Sequence, residues 1–266
     1  MCQPARGAAK SGQLTNKSGE THLTSQGKER LRKLIRWLLV DLAAAAFVLA
    51  VLFYRPSQYN PTVNEPAVGN RRKMPRYISH ELLPAFYNDA QTGKPFDLVV
   101  DQDKMNETIA LQKWPQESQG ITLSSPVLLF VPGPAQGRII FMGTASIEGA
   151  DFVVTIEIQP TIDEQGLLDL EVVKVKIGAM NITPLARIVA RQMYEKRLET
   201  VPVDTERILA KIAAALLADE PFEPVFEAHD KIVRIEKITV EQGRLIARIV
   251  PAPERARPRP SRISSQ

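Results

Sequence analysis

From Arg138 to Ile177 the chain reads RIIFMGTASIEGADFVVTIEIQPTIDEQGLLDLEVVKVKI, three apolar runs separated by two turns. Arg138–Ile147 places Ile139, Phe141, Ala145 and Ile147 on one face. Phe152–Ile158 places Phe152, Val154, Ile156 and Ile158 on one face, with Thr155 and Glu157 on the other. A period of two is the signature of strands. Asp163-Glu164-Gln165-Gly166 is a turn, after which Leu167–Ile177 runs back. Its apolar positions switch parity in mid-strand, from Leu168, Leu170 and Val172 to Val173, Val175 and Ile177, which predicts a bulge or burial on both sides. Three long strands with short connections read as an antiparallel meander.

Working outward, Val127–Val131 is a compact apolar run between Pro126 and Pro132-Gly133-Pro134, and Phe96–Val100 is a short strand. Asp101 is placed to cap a helix through Asp103, Met105, Ile109 and Leu111 that ends near Trp114-Pro115. Ile78, Leu82, Leu83 and Phe86 suit a short helix, with Ser79 as N-cap and Pro84 limiting it. Downstream, Thr183 caps a helix with Pro184 in its first turn and Leu185, Ile188, Val189, Gln192 and Met193 along one face. Asp204 caps a second, whose stripe is Ile208, Leu209, Ile212, Ala213, Leu216 and Leu217. Strands resume at Pro224–Glu227, Lys231–Val240 and Arg244–Val250, the last pair turning at Glu241-Gln242-Gly243. The expected fold class is α+β, an antiparallel meander with helices packed on one face.

Between Trp37 and Tyr54 the sequence WLLVDLAAAAFVLAVLFY carries one charge, Asp41. With Leu34 and Ile35 it reaches about 20 residues, which spans roughly 30 Å of hydrocarbon. Trp37 and Tyr54 bracket it as interface aromatics. A signal peptide is the competing reading, but the apolar run exceeds the usual h-region, 36 residues precede it, and Tyr54-Arg55-Pro56 offers no small-residue cleavage site. Lys28, Arg30, Arg32, Lys33 and Arg36 crowd the N-terminal flank, so the N-terminus is expected in the cytoplasm and the body outside it. Asp41 lies one turn inside, where its carboxylate reaches the interface or meets a polar group on another helix.

The expected organisation is a disordered basic cytoplasmic tail (1–33), a transmembrane helix (34–54), a Pro-rich extended stem (55–76), an extracytoplasmic domain (77–250) and a disordered Arg/Pro tail (251–266). The net charge of +4 divides along the same lines. Residues 1–36 carry +6, 55–76 carry +4 and 251–266 carry +3, whereas 77–250 carry −8. An acidic body repels phosphate, which argues against a nucleic-acid partner.

Catalytic motifs are scarce. Cys2 is the only cysteine, and His22, His80 and His229 share no metal-ligand spacing. No HExxH, GxSxG, P-loop or GxGxxG pattern is present. Asp151, Asp163, Glu164, Asp169 and Glu171 sit at expected turns or exposed strand positions, where solvated surface is the default. Asn106-Glu107-Thr108 and Asn181-Ile182-Thr183 match the glycosylation sequon. No catalytic, cofactor-binding or metal residue is assigned, and no enzyme is expected.

Thr155–Met193 contains a strand ending at Gln159-Pro160-Thr161-Ile162-Asp163, a returning strand with Val172-Val173-Lys174-Val175-Lys176-Ile177-Gly178, and a helix begun at Pro184. Phe96–Ala110 adds a strand followed by a helix containing Met105-Asn106. With one anchor ahead of an α+β body, this layout resembles the YpmS-like bacterial membrane proteins, a family of uncharacterised function. The resemblance covers some 60–70 residues of the body, and the Arg/Pro tail and Lys196–Ile238 depart from it. A looser similarity is to bacterial lipid-binding envelope proteins with apolar-lined sheets wrapped against helices. The functional expectation is a non-enzymatic membrane-anchored domain that binds a lipid or other apolar ligand in a groove between sheet and helices. Strand Leu167–Ile177 and helix Ile208–Ala218 motivate it, and a closed core is the other reading of the same residues. The alternative function is an envelope scaffold or protein–protein interaction module. Partners are thus the bilayer, through residues 34–54, and a lipid or an envelope protein.

Overall fold

The computed structural model describes residues 25–61, 76–112, 114–118, 120–134, 136–200 and 208–252. The expected cap Asp204, His22 and most of both tails lie outside these residues. Two compact units divide the chain, Met1–Phe47 and Val48–Gln266. The first holds most of helix α1 (Ser25–Leu52), in which Arg30–Leu52 is long and apolar enough to cross a membrane. Its large apolar side chains, Leu34, Trp37, Leu38 and Phe47 among them, are exposed, as a lipid-facing helix requires.

The second unit is α+β with every strand pair antiparallel. A π-helical turn (Tyr77–Leu82) runs directly into α2 (Leu83–Gln91). Pro84 therefore does not limit the helix: the backbone stays helical from the π turn through Pro84 into α2. Ser79 is inside the π turn, and its hydroxyl meets His80 Nδ1 at 2.7 Å instead of capping. Strand β1 (Phe96–Asp101) leads to α3 (Gln102–Ala110), and Asp101 caps it by accepting from the Lys104 N–H at 3.0 Å. After the short β2 (Gln116–Ser118) come β3 (Ile121–Val131), β4 (Arg138–Ile147), β5 (Ala150–Ile162), β6 (Leu168–Ile177) and β7 (Met180–Asn181). Helices α4 (Thr183–Thr200) and α5 (Ile208–Ala218) precede β8 (Val225–Ala228), β9 (Lys231–Glu241) and β10 (Arg244–Pro251).

The strands form two sheets. One has six strands in the order β2-β3-β4-β5-β6-β7, and the other has four in the order β1-β10-β9-β8. The meander is thus the core of the larger sheet, and the C-terminal hairpin joins β1 instead. Pro126 is not a strand boundary. It sits where the β3–β4 register shifts between Ser124 and Val127, a bulge that tolerates a residue without an N–H.

Bulges also align the cores. In β6 the register against β5 passes from Lys174 opposite Glu157 to Val172 opposite Ile158, leaving Val173 unmatched. This one extra residue brings Val172 and Val175 to the same side. In β9, Glu236 is the unmatched residue between Ile235 and Lys237, which aligns Val233 and Ile235 with Ile238 and Val240. The main core joins both sheets through Leu128, Phe130, Leu168, Phe222, Ile238 and Val240, with Ala215 of α5 among them. Ala90 of α2 closes a second cluster over Val233, Ala247 and Ile249.

The outer face of the six-stranded sheet is covered as well. Val127, Ile140, Met142 and Val153 form a cluster with Tyr59. Tyr59 belongs to the expected extended stem, yet its hydroxyl donates to the Ser125 carbonyl at 3.0 Å and lies 2.8 Å from Thr144 Oγ1. The stem is docked at this point because a buried aromatic ring with a satisfied hydroxyl outweighs the entropy of leaving it free. Glu157 is 6% exposed on the same sheet and pairs with Arg138 at 2.9 Å and Lys176 at 3.1 Å.

Candidate functional site

The inner face of the six-stranded sheet is not fully closed by its helices. Phe141 of β4, Ile156 and Ile158 of β5, and Val172 and Val175 of β6 floor a groove of about 510 Å³. Ala186, Ile188 and Ala190 of α4 form one wall, and Leu216, Leu217 and Ala218 of α5 the other. The floor is apolar because the Val173 bulge turns Val172 and Val175 to the same side. The space exists because Ala186, Ala190 and Ala218 present methyl groups where longer side chains would fill it.

Local interactions hold α4 over the sheet. The Thr183 hydroxyl does not cap its own helix. It accepts from the Val175 N–H at 2.8 Å and lies 2.6 Å from Asn181 Oδ1, tying the start of α4 to β6. Asn181 Oδ1 takes the capping role by accepting from the Thr183 N–H at 3.0 Å. One turn on, Arg187 donates to the Val172 carbonyl at 3.0 Å and sits 3.5 Å from Glu171.

The rim is charged. Arg187 and Arg191 stand one turn apart on α4, and Asp219 ends the α5 wall. Both Arg–Glu pairs there, with Glu171 and Glu195, are exposed, so they are weak and exchangeable. Beyond the mouth, much of the predicted apolar face of α4 is turned outward: Leu185 and Val189 are exposed, as is the edge of Ile188 on the wall. A groove of this size and lining suits an apolar chain, with the guanidinium groups left for a polar or anionic end. A larger hollow of about 680 Å³ lies by Asp97, Glu236, Lys237 and Arg248, but charged and polar groups make up most of its lining and it lacks an apolar floor.

Two elements expected to build a groove, Leu167–Ile177 and Ile208–Ala218, supply part of its lining. Phe141 and the wall from α4 carry no sequence signal of this kind, because Ala186 and Ala190 are ordinary helix formers. No family model, curated protein or solved structure matches this chain.

The remaining candidate residues are dispersed. Asp163 Oδ1 accepts from the Gln165 and Leu167 N–H groups in its turn, and Asp151 bonds the Ser146 hydroxyl. His229 stacks on Tyr87, with ring centroids 4.7 Å apart. Among the described residues no group of three or more His, Cys, Asp or Glu side chains could hold a metal ion. Both sequon asparagines make structural contacts: Asn181 caps α4, and Asn106 is buried against β3.

Proposed function

We propose that this chain is a single-pass membrane protein whose body binds the acyl chain of a lipid between the six-stranded sheet and helices α4 and α5. The observation that carries this reading is the 510 Å³ groove, with its apolar floor and two arginines at the mouth. The ligand class that fits is a lipid with one acyl chain inserted and an anionic headgroup at Arg187 and Arg191. The protein acts as a binder rather than a catalyst, and the groove's depth of apolar lining sets its preference for chain over headgroup. The basic flank Lys28–Arg36 supports a cytoplasmic N-terminus and an extracytoplasmic body.

Native mass spectrometry of the full chain, purified from membranes in detergent, tests the reading. The wild type is expected to retain lipid through desolvation, and Ala190→Trp, which fills the groove from α4, to lose it. Reproducible absence of retained lipid from the wild type contradicts the proposal.

A further inference from the structure

One end of the six-stranded sheet carries exposed apolar side chains that the groove does not use. Ile121 and Ile147 are cross-strand partners at the ends of β3 and β4, and each is 44% exposed. One step inward, Leu123 lies opposite Ala145, and Ala145 lies opposite Phe152. The period of two puts all of these on one face. Phe53 stacks on Phe152 with ring centroids 5.2 Å apart and is itself 50% exposed.

Phe53 directly follows α1, and its N–H still donates to the Leu49 carbonyl. The adjoining β6–β7 turn grips the same helix end. The Ala179 N–H donates to the Val51 carbonyl at 2.9 Å. Gly178, at φ +58°, passes so close to the Val51 and Leu52 carbonyls that a Cβ would overlap them. Val51, Leu52 and Phe53 therefore pack with this end of the sheet.

We propose that Phe53, Ile121, Leu123 and Ile147 form a second membrane contact, seated at headgroup level in the bilayer that α1 crosses. Continuity identifies the occupant: the last residue of the span is Leu52, Phe53 is its neighbour, and the Phe53–Phe152 stack extends that surface onto the sheet. The hairpin tip limits the depth. Glu148 and Asp151 are exposed there, and carboxylates remain in water, so the isoleucines reach the interface and not the hydrocarbon centre. The body is held down on the membrane surface at two points. This inference rests on α1 crossing the membrane and is independent of any ligand in the groove.

The test uses the full chain with Cys2→Ser, carrying a fluorescent probe on one new cysteine, in phosphatidylcholine vesicles that mix acyl chains brominated near the headgroup with acyl chains brominated near the terminal methyl. Ile147→Cys and Ile121→Cys are the reporting sites. Glu164→Cys, in the turn at the far end of β5 and β6, and Ala45→Cys, within the span, are the references. Probes at 147 and 121 are expected to lose most of their emission in brominated vesicles, as the probe at 45 does, while the probe at 164 keeps its emission. Emission at 147 and 121 that matches 164 while 45 is quenched overturns the contact. An unquenched probe at 45 overturns the membrane-crossing reading and the contact with it.

Discussion

Asn106 and Leu128 exchange two hydrogen bonds: the Asn106 amide donates to the Leu128 carbonyl at 2.8 Å, and the Leu128 N–H donates to Asn106 Oδ1 at 2.7 Å. Four residues earlier on α3, Gln102 Oε1 accepts from the Phe130 N–H at 2.7 Å. Four helical residues rise about 6.0 Å and two strand residues about 6.6 Å, so one face of α3 matches alternate residues of β3. Strand β2 covers only Ile121–Leu123 of that edge, and α3 meets Leu128 and Phe130 farther along it with side chains.

Asn106→Ala leaves two backbone groups of Leu128 without partners at a position that is 3% exposed. Each orphaned group costs about 1–3 kcal/mol, so a loss of roughly 2–6 kcal/mol is expected in denaturant titration of the full chain. A loss below about 0.5 kcal/mol, the range of a surface substitution, contradicts this role.

Glu157 gives the body an acid-sensitive joint. Desolvation pushes its carboxyl upward, but hydrogen bonds from Lys176 and Arg138 outweigh that effect and the net direction is downward. A carboxyl held low in the folded state adds stability that is complete above its ordinary value of 4.5 and is lost as pH falls through the folded value. Thermal melts should therefore drop steeply on acidification below that point. Glu157→Gln should lower stability at pH 7 by about 1–3 kcal/mol and flatten this acid limb. An unchanged acid limb in the variant counts against it.

Tyr59→Phe keeps the ring in its cluster and removes both hydroxyl contacts, so a cost of about 1 kcal/mol is expected. Burial raises the Tyr59 hydroxyl above its ordinary value of 10.0, and bonding to Thr144 and the charge of Arg55 only partly oppose it. The folded chain keeps a proton that the unfolded chain releases, so stability falls as pH rises above that value. Alkaline melts of wild type and Tyr59→Phe should keep a constant gap below it and converge above it; curves that stay parallel throughout would contradict this.

Gly178→Ala forces an L side chain into a left-handed conformation at about 1–2 kcal/mol and sets a Cβ against the Val51 and Leu52 carbonyls. The Ala179 amide should then exchange hydrogen about tenfold faster, with the main core unaffected. Equal protection in the variant would show that the α1 end and the β6–β7 turn are not coupled through this residue.

Local pattern carried the elements, and long-range pairing was hidden from it. The parity switch in Leu167–Ile177 announced the Val173 bulge, and Asp101 announced its helix, because both signals lie within a few residues. The partnership of Phe96 with Ile249 joins segments far apart in sequence and leaves no local trace, so the division into two sheets was not legible. Proline's missing N–H marks Pro126 and Pro84 as boundaries in the sequence, but a bulge accommodates the first and the helix runs on through the second. Tyr59 looks like stem in the sequence because the neighbouring prolines suit an extended chain and its burial depends on strands that come later. The groove was half legible: Val172, Val175, Leu216 and Leu217 announce apolar surface, while Ala186 and Ala190 matter through volume they do not fill.

Photocrosslinking reads out whether an acyl chain lies between the sheet and the helices. The full chain in vesicles is irradiated with a phospholipid bearing a diazirine on one acyl chain, and the adducts are mapped by peptide mass spectrometry. Adducts on Val172–Val175 and Leu216–Ala218, suppressed by unlabelled phospholipid and by Ala190→Trp, are the predicted result. Adducts confined to Arg30–Leu52, with none in the groove, would contradict it.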